Sequence, residues 1–395
     1  MSEKWVQVWG QAHSALSHFY YPSCKNTYRT VICSAISGSK IRIELRNNPG
    51  KTPVEIGGVT VAKCDKNGTF IGGLYKTVTV DSKESFVIGK NEMVTTDPVD
   101  LEIGVDEYFC VSIYIVKGKL CSGNLLDNVN LITIKGDYTK IPHAENQPRP
   151  RDTVRKIATI VLGMGFHKPI PLINTVELLN NENASSIVMF GDSITQQGFW
   201  TNAFEKRIRE QYKGRYAVIN RSIMGNRTLR DFGKRFPCPG LFGISGISRF
   251  ENDVLRFNDA EYIVFALGTN DFLQYGTLMA PKSDKPTPEE MFNAVKGLSE
   301  KAHKSGKKFI AMNVLHFGLS ADSRPEKEKM VQEYNNLLME NKDCFDMVYD
   351  QAKHCIDKNK PNCSRREYLG ADKLHPNFEG GQVVANNFDL KIFKA

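Results

Sequence analysis

Ser186-Ile187-Val188-Met189-Phe190-Gly191-Asp192-Ser193 is the stretch that decides the fold. An apolar run that stops at Gly-Asp-Ser has the form of a buried strand ending in a polar turn. Downstream of it, strands and helices alternate. Phe204, Ile208 and Tyr212 fall on one helical face, and Tyr216–Asn220 forms the next strand. Residues 262–267 form another. Thr287-Pro288-Glu289-Glu290 carries a cap, a proline at the first helical position and a capping-box glutamate. The helix it opens turns Met291, Val295 and Leu298 inward and stops near Gly306. A strand over 309–314, a helix through Met330–Leu338, a strand over 347–349 and a last helix from about Glu379 to Leu390 complete the pattern. Such alternation predicts a parallel sheet covered on both faces, with ligands outside the carboxyl ends of its strands.

Upstream the character is different. Lys40–Leu45 alternates with period two, and residues 59–62, 77–80 and 108–115 are further short strand candidates. Asn47-Asn48-Pro49-Gly50, Lys66-Asn67-Gly68 and Gly72-Gly73 separate them as turns. This predicts an antiparallel sandwich or jelly roll over 1–135. Residues 136–183, with Pro142, Pro148, Pro150 and an apolar patch from Ile157 to Gly165, are expected to connect it to an α/β domain over 184–395.

The chain has 395 residues, enough for two or three cored domains. No apolar run approaches the ~18 residues that suggest a membrane span. Met1–Val6 has no signal-peptide core, which points to the cytoplasm. Nine scattered cysteines, with no CxxC pair and no Cys/His cluster at zinc spacing, suit free thiols and no metal. The formal charge of +8 is spread among acids, as in Glu326-Lys327-Glu328-Lys329. That pattern belongs to a solvated surface rather than to nucleic-acid binding.

Four blocks, each just after a strand or before the final helix, carry the chemistry. Ser193, at a strand-to-turn junction, can present a hydroxyl. It is not in a Gly-x-Ser-x-Gly elbow, because position 195 is threonine. Gly225 follows Ile223-Met224, where a glycine lets backbone N–H approach a ligand. Asn270, after Gly268-Thr269, offers a side-chain amide. His375, with Asp372 three residues earlier, supplies an imidazole and a carboxylate to fix its tautomer. His316, just after a strand, is the rival histidine. Any one of these is as easily an ordinary turn or cap residue. Together they make up a nucleophile, oxyanion donors and an oriented base, the parts needed for acyl transfer through a serine ester.

In this order the blocks resemble the SGNH (GDSL-type) hydrolase superfamily. Gly191-Asp192-Ser193-Ile194-Thr195, Gly225-Asn226, Gly268-Thr269-Asn270-Asp271 and Asp372-x-x-His375-Pro376 are similar to its signature blocks, over roughly 185–395. The resemblance implies a flavodoxin-like α/β fold. It also implies Ser193 as nucleophile, His375 as base then acid, and Asp372 as its orienter. The oxyanion hole would be built from Ser193 N–H, Gly225 N–H and the Asn270 side chain. The N-terminal half, with Trp5, Trp9 and Ser37–Asn47, is similar to the β-sandwich of two-domain bacterial SGNH esterases. Those enzymes and carbohydrate esterase family 2 mostly act on acylated carbohydrates.

The expected activity is removal of short acyl groups, acetyl foremost, from oligosaccharides, with no cofactor. Gln197, Trp200, Arg227 and Phe272, close to the blocks, are the expected substrate contacts. Aromatics suit the apolar face of a sugar and arginines its hydroxyls. Domain-interface packing is the competing role for the same residues. The Gly/Pro-rich segment Phe236–Gly243 is expected at the pocket rim. An acylated oligosaccharide is the expected partner, with no nucleic acid and no membrane. The oligomeric state is open, a homo-oligomer included. A lipase- or thioesterase-like hydrolase and a degenerate carbohydrate-binding protein are the alternatives.

Overall fold

The computed structural model describes residues 3–16, 24–126, 130–145, 147–149, 168–181, 183–232 and 240–394. Contacts divide the chain into two compact units, Met1–Ser185 with Lys213–Ile219, and Ser186–Tyr212 with Asn220–Ala395.

The first unit is all β. Its main strands are β1 (Lys4–Gly10), β2 (Asn26–Cys33), β3 (Gly38–Arg46), β4 (Val54–Lys63), β5 (Tyr108–Lys117), β6 (Asn130–Lys135) and β7 (Ile173–Asn180). One antiparallel sheet runs β1-β7-β3, with Met93–Thr95 and Val99–Ile103 pairing the far side of β3. A second runs β6-β2-β5-β4 and continues into Lys76–Val78 and Phe86–Ile88. Ile41, Ile43 and Leu45 of β3 are buried while the residues between them are not, which is the alternation legible in the sequence.

The span expected to be a connecting segment needs correction at its C-terminal end. Residues 173–180 are a strand of the first sheet, with Val176 opposite Ile43 and Leu178 opposite both Ile41 and Val6. Val176 and Leu178 alternate with the less buried Glu177 and Leu179, a strand pattern that the prolines upstream obscured. The patch Ile157 to Gly165 lies outside the described residues.

Arg29 of β2 is fully buried. It donates five hydrogen bonds, to Ser112 Oγ and to the carbonyls of Gly68, Pro142, Tyr138 and Ile141. Its guanidinium also lies 4.2 Å from the centre of the Phe70 ring. A buried cation persists only with this degree of satisfaction.

The C-terminal half carries a parallel sheet. Its strands are β8 (Ser185–Gly191), β9 (Tyr216–Asn220), β10 (Ala260–Ala266), β11 (Lys308–Met312) and β12 (Met347–Tyr349). The spatial order is β9-β8-β10-β11-β12, the flavodoxin-like 2-1-3-4-5 arrangement. The helices are α1 (Ser193–Gln196), α2 (Phe199–Gln211), α3 (Gly246–Phe250), α4 (Thr269–Gln274), α5 (Pro288–Lys304), α6 (Pro325–Glu340), α7 (Gln351–Cys355) and α8 (Phe378–Asn386). Thr287 caps α5 by accepting from Glu290 N–H at 3.0 Å, with Pro288 as its first residue. The last helix ends at Asn386, short of the expected Leu390.

Every residue of β8 is buried, and Phe190 packs on Phe250 and Phe265. Gly381 lets α8 come close to the start of α2. A Cβ there would sit 2.6 Å from the Phe199 backbone, so only glycine fits. That approach holds the loop preceding α8 beside the turn that follows β8.

Candidate active site

Ser193 is the first residue of α1, immediately after β8. Asp192 caps this short helix by accepting from Ile194 N–H at 3.0 Å. Ser193 Oγ lies 2.7 Å from His375 Nε2, and His375 Nδ1 lies 2.6 Å from Asp372 Oδ2. The other carboxylate oxygen of Asp372 accepts from the backbone N–H of Leu374 and of His375. The fold thus brings together three residues spread over 180 positions of sequence.

The hydrogen-bond pattern assigns the tautomer. An ionised carboxylate only accepts, so Nδ1 carries the imidazole proton and Nε2 presents its lone pair to the serine hydroxyl. Partial burial of Asp372 works to raise its pKa. The bond and charge of His375 and the two backbone N–H groups outweigh that and hold the carboxyl down at about 2. It is therefore an anion throughout the neutral range.

Gly225 adopts φ +67°, and a Cβ there would lie 2.5 Å from the Phe242 ring. The position demands glycine on both counts. Asn226 holds the same loop in place. Its Nδ2 donates to the carbonyls of Phe242 and Ile244. Asn270 is buried at the start of α4, and its Nδ2 donates to Asp192 Oδ2 at 3.2 Å and to the Asn226 carbonyl at 3.1 Å. Gln274 Nε2 fixes the orientation of that amide by donating to Asn270 Oδ1 at 2.8 Å. Asp192 is fully enclosed, and burial pushes its carboxyl up to about 7.

Arg249 of α3 is a component that the sequence motifs do not mark. It is buried and donates to Asn226 Oδ1, Arg221 O, Gly191 O and Asp253 Oδ2. One guanidinium thus braces the end of β8, the Asn226 loop and its own helix. Burial lowers its pKa to about 10, which still leaves it charged at neutral pH. Its only sequence signal is the i,i+4 spacing to Asp253, which elsewhere marks a solvated helix face.

Three of the expected substrate contacts need correction. Trp200 is 1% exposed and packs edge-on against Phe204, one helical turn on. Phe272 is completely buried against Tyr334. Arg227 is 3% exposed, pairs with Asp284 at 2.8 Å and donates to the Asp231 carbonyl. Closeness in sequence to Ser193, Gly225 or Asn270 did not decide which way these side chains turn. Gln197 is partly buried, and its Nε2 donates to the Pro376 carbonyl at 3.0 Å, tying the serine turn to the histidine loop. His316 is buried beside Glu328, its Nδ1 3.1 Å from that carboxylate. Of the expected rim segment, 236–239 lies outside the described residues.

Residues 187–388 match the family described as GDSL-like Lipase/Acylhydrolase, and the chain belongs to that family. It is an ester hydrolase by class. Solved structures similar to it include LAE5, an alpha/beta hydrolase enzyme from the metagenome of Lake Arreo, Spain. The identity is 18%, covering 51% of this chain and 92% of that one, with a TM-score of 0.39. A variant of Axe2, an acetyl xylan esterase from Geobacillus stearothermophilus, shows 15% identity over 51% of this chain and 91% of that one, TM-score 0.39. TesA shows 17% identity over 51% and 94%, TM-score 0.37. No curated protein matches the chain. Among the described residues no helix is long and apolar enough to cross a membrane.

Proposed function

We propose that the chain removes short O-acyl groups, acetyl foremost, from oligosaccharides through an acyl-enzyme on Ser193. The observation that carries this reading is the hydrogen-bonded line Ser193 Oγ–His375–Asp372, at 2.7 and 2.6 Å. His375 Nε2 takes the hydroxyl proton as Ser193 attacks the ester carbonyl. The imidazolium is stabilised by the Asp372 anion and returns the proton to the leaving sugar hydroxyl. Water, activated by the same nitrogen, then releases the acid.

The developing oxyanion needs donors in place before the reaction. Ser193 N–H stands at the first position of a helix, where backbone donors have no intrahelical partner. Gly225 N–H and Asn270 Nδ2 complete the proposed set. Asn270 already faces two acceptors at 3.1 and 3.2 Å, so serving the oxyanion means sharing or releasing one of these bonds. Asp192 is then the group that holds the amide in position.

The preference for short acyl groups rests on the resemblance to carbohydrate acetylesterases. The sugar preference rests on the resemblance of the N-terminal half to the sandwich of carbohydrate esterases. The eight described cysteines are free thiols, in keeping with a cytoplasmic site of action. Mass-spectrometric screening of deacylation across acetylated xylo-, manno- and pectic oligosaccharides, beside an acetyl-to-octanoyl series of one alcohol, tests the reading. Release of acetate from at least one oligosaccharide class, with kcat/KM falling as the chain lengthens, is expected. A preference for octanoyl esters overturns it.

A further inference from the structure

A small cavity of about 10 Å³ lies beside the first turn of α1, lined by Asp192, Ile194, Thr195, Trp200, Asn313 and Gln351 among others. Three polar atoms of these side chains are buried without a hydrogen-bond partner in the protein: Thr195 Oγ1, Trp200 Nε1 and Gln351 Oε1. Their residues are 0%, 1% and 6% exposed. A polar atom left in that state loses the hydrogen bonds it made to water with nothing in return, and native interiors hold few of them. Three around one space call for a common partner.

Their chemistry restricts what that partner is. The Trp200 indole N–H only donates, so the ligand has to accept. Gln351 Nε2 donates to the Asn313 carbonyl at 2.5 Å, which fixes the amide so that Oε1 is the free end. That oxygen only accepts, so the ligand has to donate as well. The Thr195 hydroxyl does either. A metal ion or an ammonium ion has no lone pair for the indole. An anion has no proton for Gln351 and would face the Asp192 carboxyl. The space corresponds to roughly one water.

We infer that this cavity is a binding site for a single water molecule, held by Trp200 Nε1, Gln351 Oε1 and Thr195 Oγ1. The site joins three elements, because Thr195 lies in α1, Trp200 in α2 and Gln351 opens α7. It gives the buried indole N–H of Trp200 an acceptor. It also cross-links the turn that carries Ser193 to the helix behind it, beside the bond from Thr201 Oγ1 to the Thr195 carbonyl.

A high-resolution crystal structure of the full chain tests the site independently of any activity. One ordered peak is expected within about 2.7–3.2 Å of all three atoms. A Trp200→Phe variant, which keeps the ring and removes the donor, is expected to lose that peak or show it at much reduced occupancy. If the variant does not fold, the wild-type density decides alone. Absence of the peak in the wild type overturns the inference. So does direct pairing of the three atoms with protein groups, or a peak with the short contacts of a metal ion.

Discussion

Replacing Arg249 with methionine should cost both stability and catalysis, and the two losses should separate under a second substitution. The guanidinium is buried, its ion pair with Asp253 has both side chains 3% exposed, and three further hydrogen bonds reach Asn226 Oδ1 and the carbonyls of Arg221 and Gly191. Breaking a buried pair by removing one partner typically costs about 3–5 kcal/mol, because the remaining charge stays in low dielectric. Set against a usual total of about 5–15 kcal/mol, the variant should still fold at low temperature. For a unit of roughly 200 residues each kcal/mol moves Tm by about 2–4 °C, so the expected fall is about 6–20 °C. Thermal unfolding by circular dichroism measures it. At a temperature where the variant is folded, kcat on a small acetate ester should drop about 10- to 100-fold with little change in KM. That is the range expected when reacting groups are displaced by up to an ångström. Arg249→Lys keeps the charge near Asp253 but cannot reproduce the fork. It should recover part of the stability and little of the kcat. A Tm within 2 °C of wild type for Arg249→Met, or a lysine variant with full kcat, would refute the bracing role.

Three further outcomes follow from the site geometry. His375→Ala should lower turnover of an activated acetate ester by at least about 10³-fold, as members of a triad act as a unit, while His316→Ala, whose ring pairs with Glu328 rather than with Ser193, should leave it within a few-fold. Paired kinetics on the two variants check this. Asn270→Ala should cut kcat by about 10²–10³-fold with KM little changed, since the charge it meets exists only in the transition state. A raised KM at unchanged kcat would make it a binding residue instead. Asp192 has its folded pKa raised by burial to about 7 against an ordinary 3.8. The stability tied to its protonated form is complete below about pH 4 and is lost as pH rises through about 7. The Tm advantage of wild type over Asp192→Asn should therefore shrink between pH 4 and pH 8, and a widening gap would contradict the burial argument.

Much of this was legible in the sequence, for identifiable reasons. Alternation located β3, and the Thr287-Pro288 start located α5, because each is dictated locally by periodicity or capping. The strand ends carrying Ser193, Gly225 and Asn270 were legible because each combines an apolar run with a short polar turn. What was not legible depends on direction and distance. Trp200 stands four residues before Phe204, so the helical period itself predicted its burial, yet nearness to Ser193 suggested a substrate contact. Arg29 and Arg249 carry no apolar signal. They are buried because carbonyls from distant segments converge on them, and no local pattern encodes that convergence. Strand β7 was hidden because the prolines before it look like linker, although its Val176 and Leu178 alternate as a strand should.

The central claim is that Ser193 carries the acyl group. Mixing the enzyme with excess p-nitrophenyl acetate, quenching within the first turnover and digesting for mass spectrometry tests it most directly. The account predicts an acetyl adduct on the peptide containing Ser193, absent in Ser193→Ala and absent from every other serine. Full turnover by a folded Ser193→Ala protein, or an adduct on another residue that is hydrolysed at the rate of turnover, would contradict it.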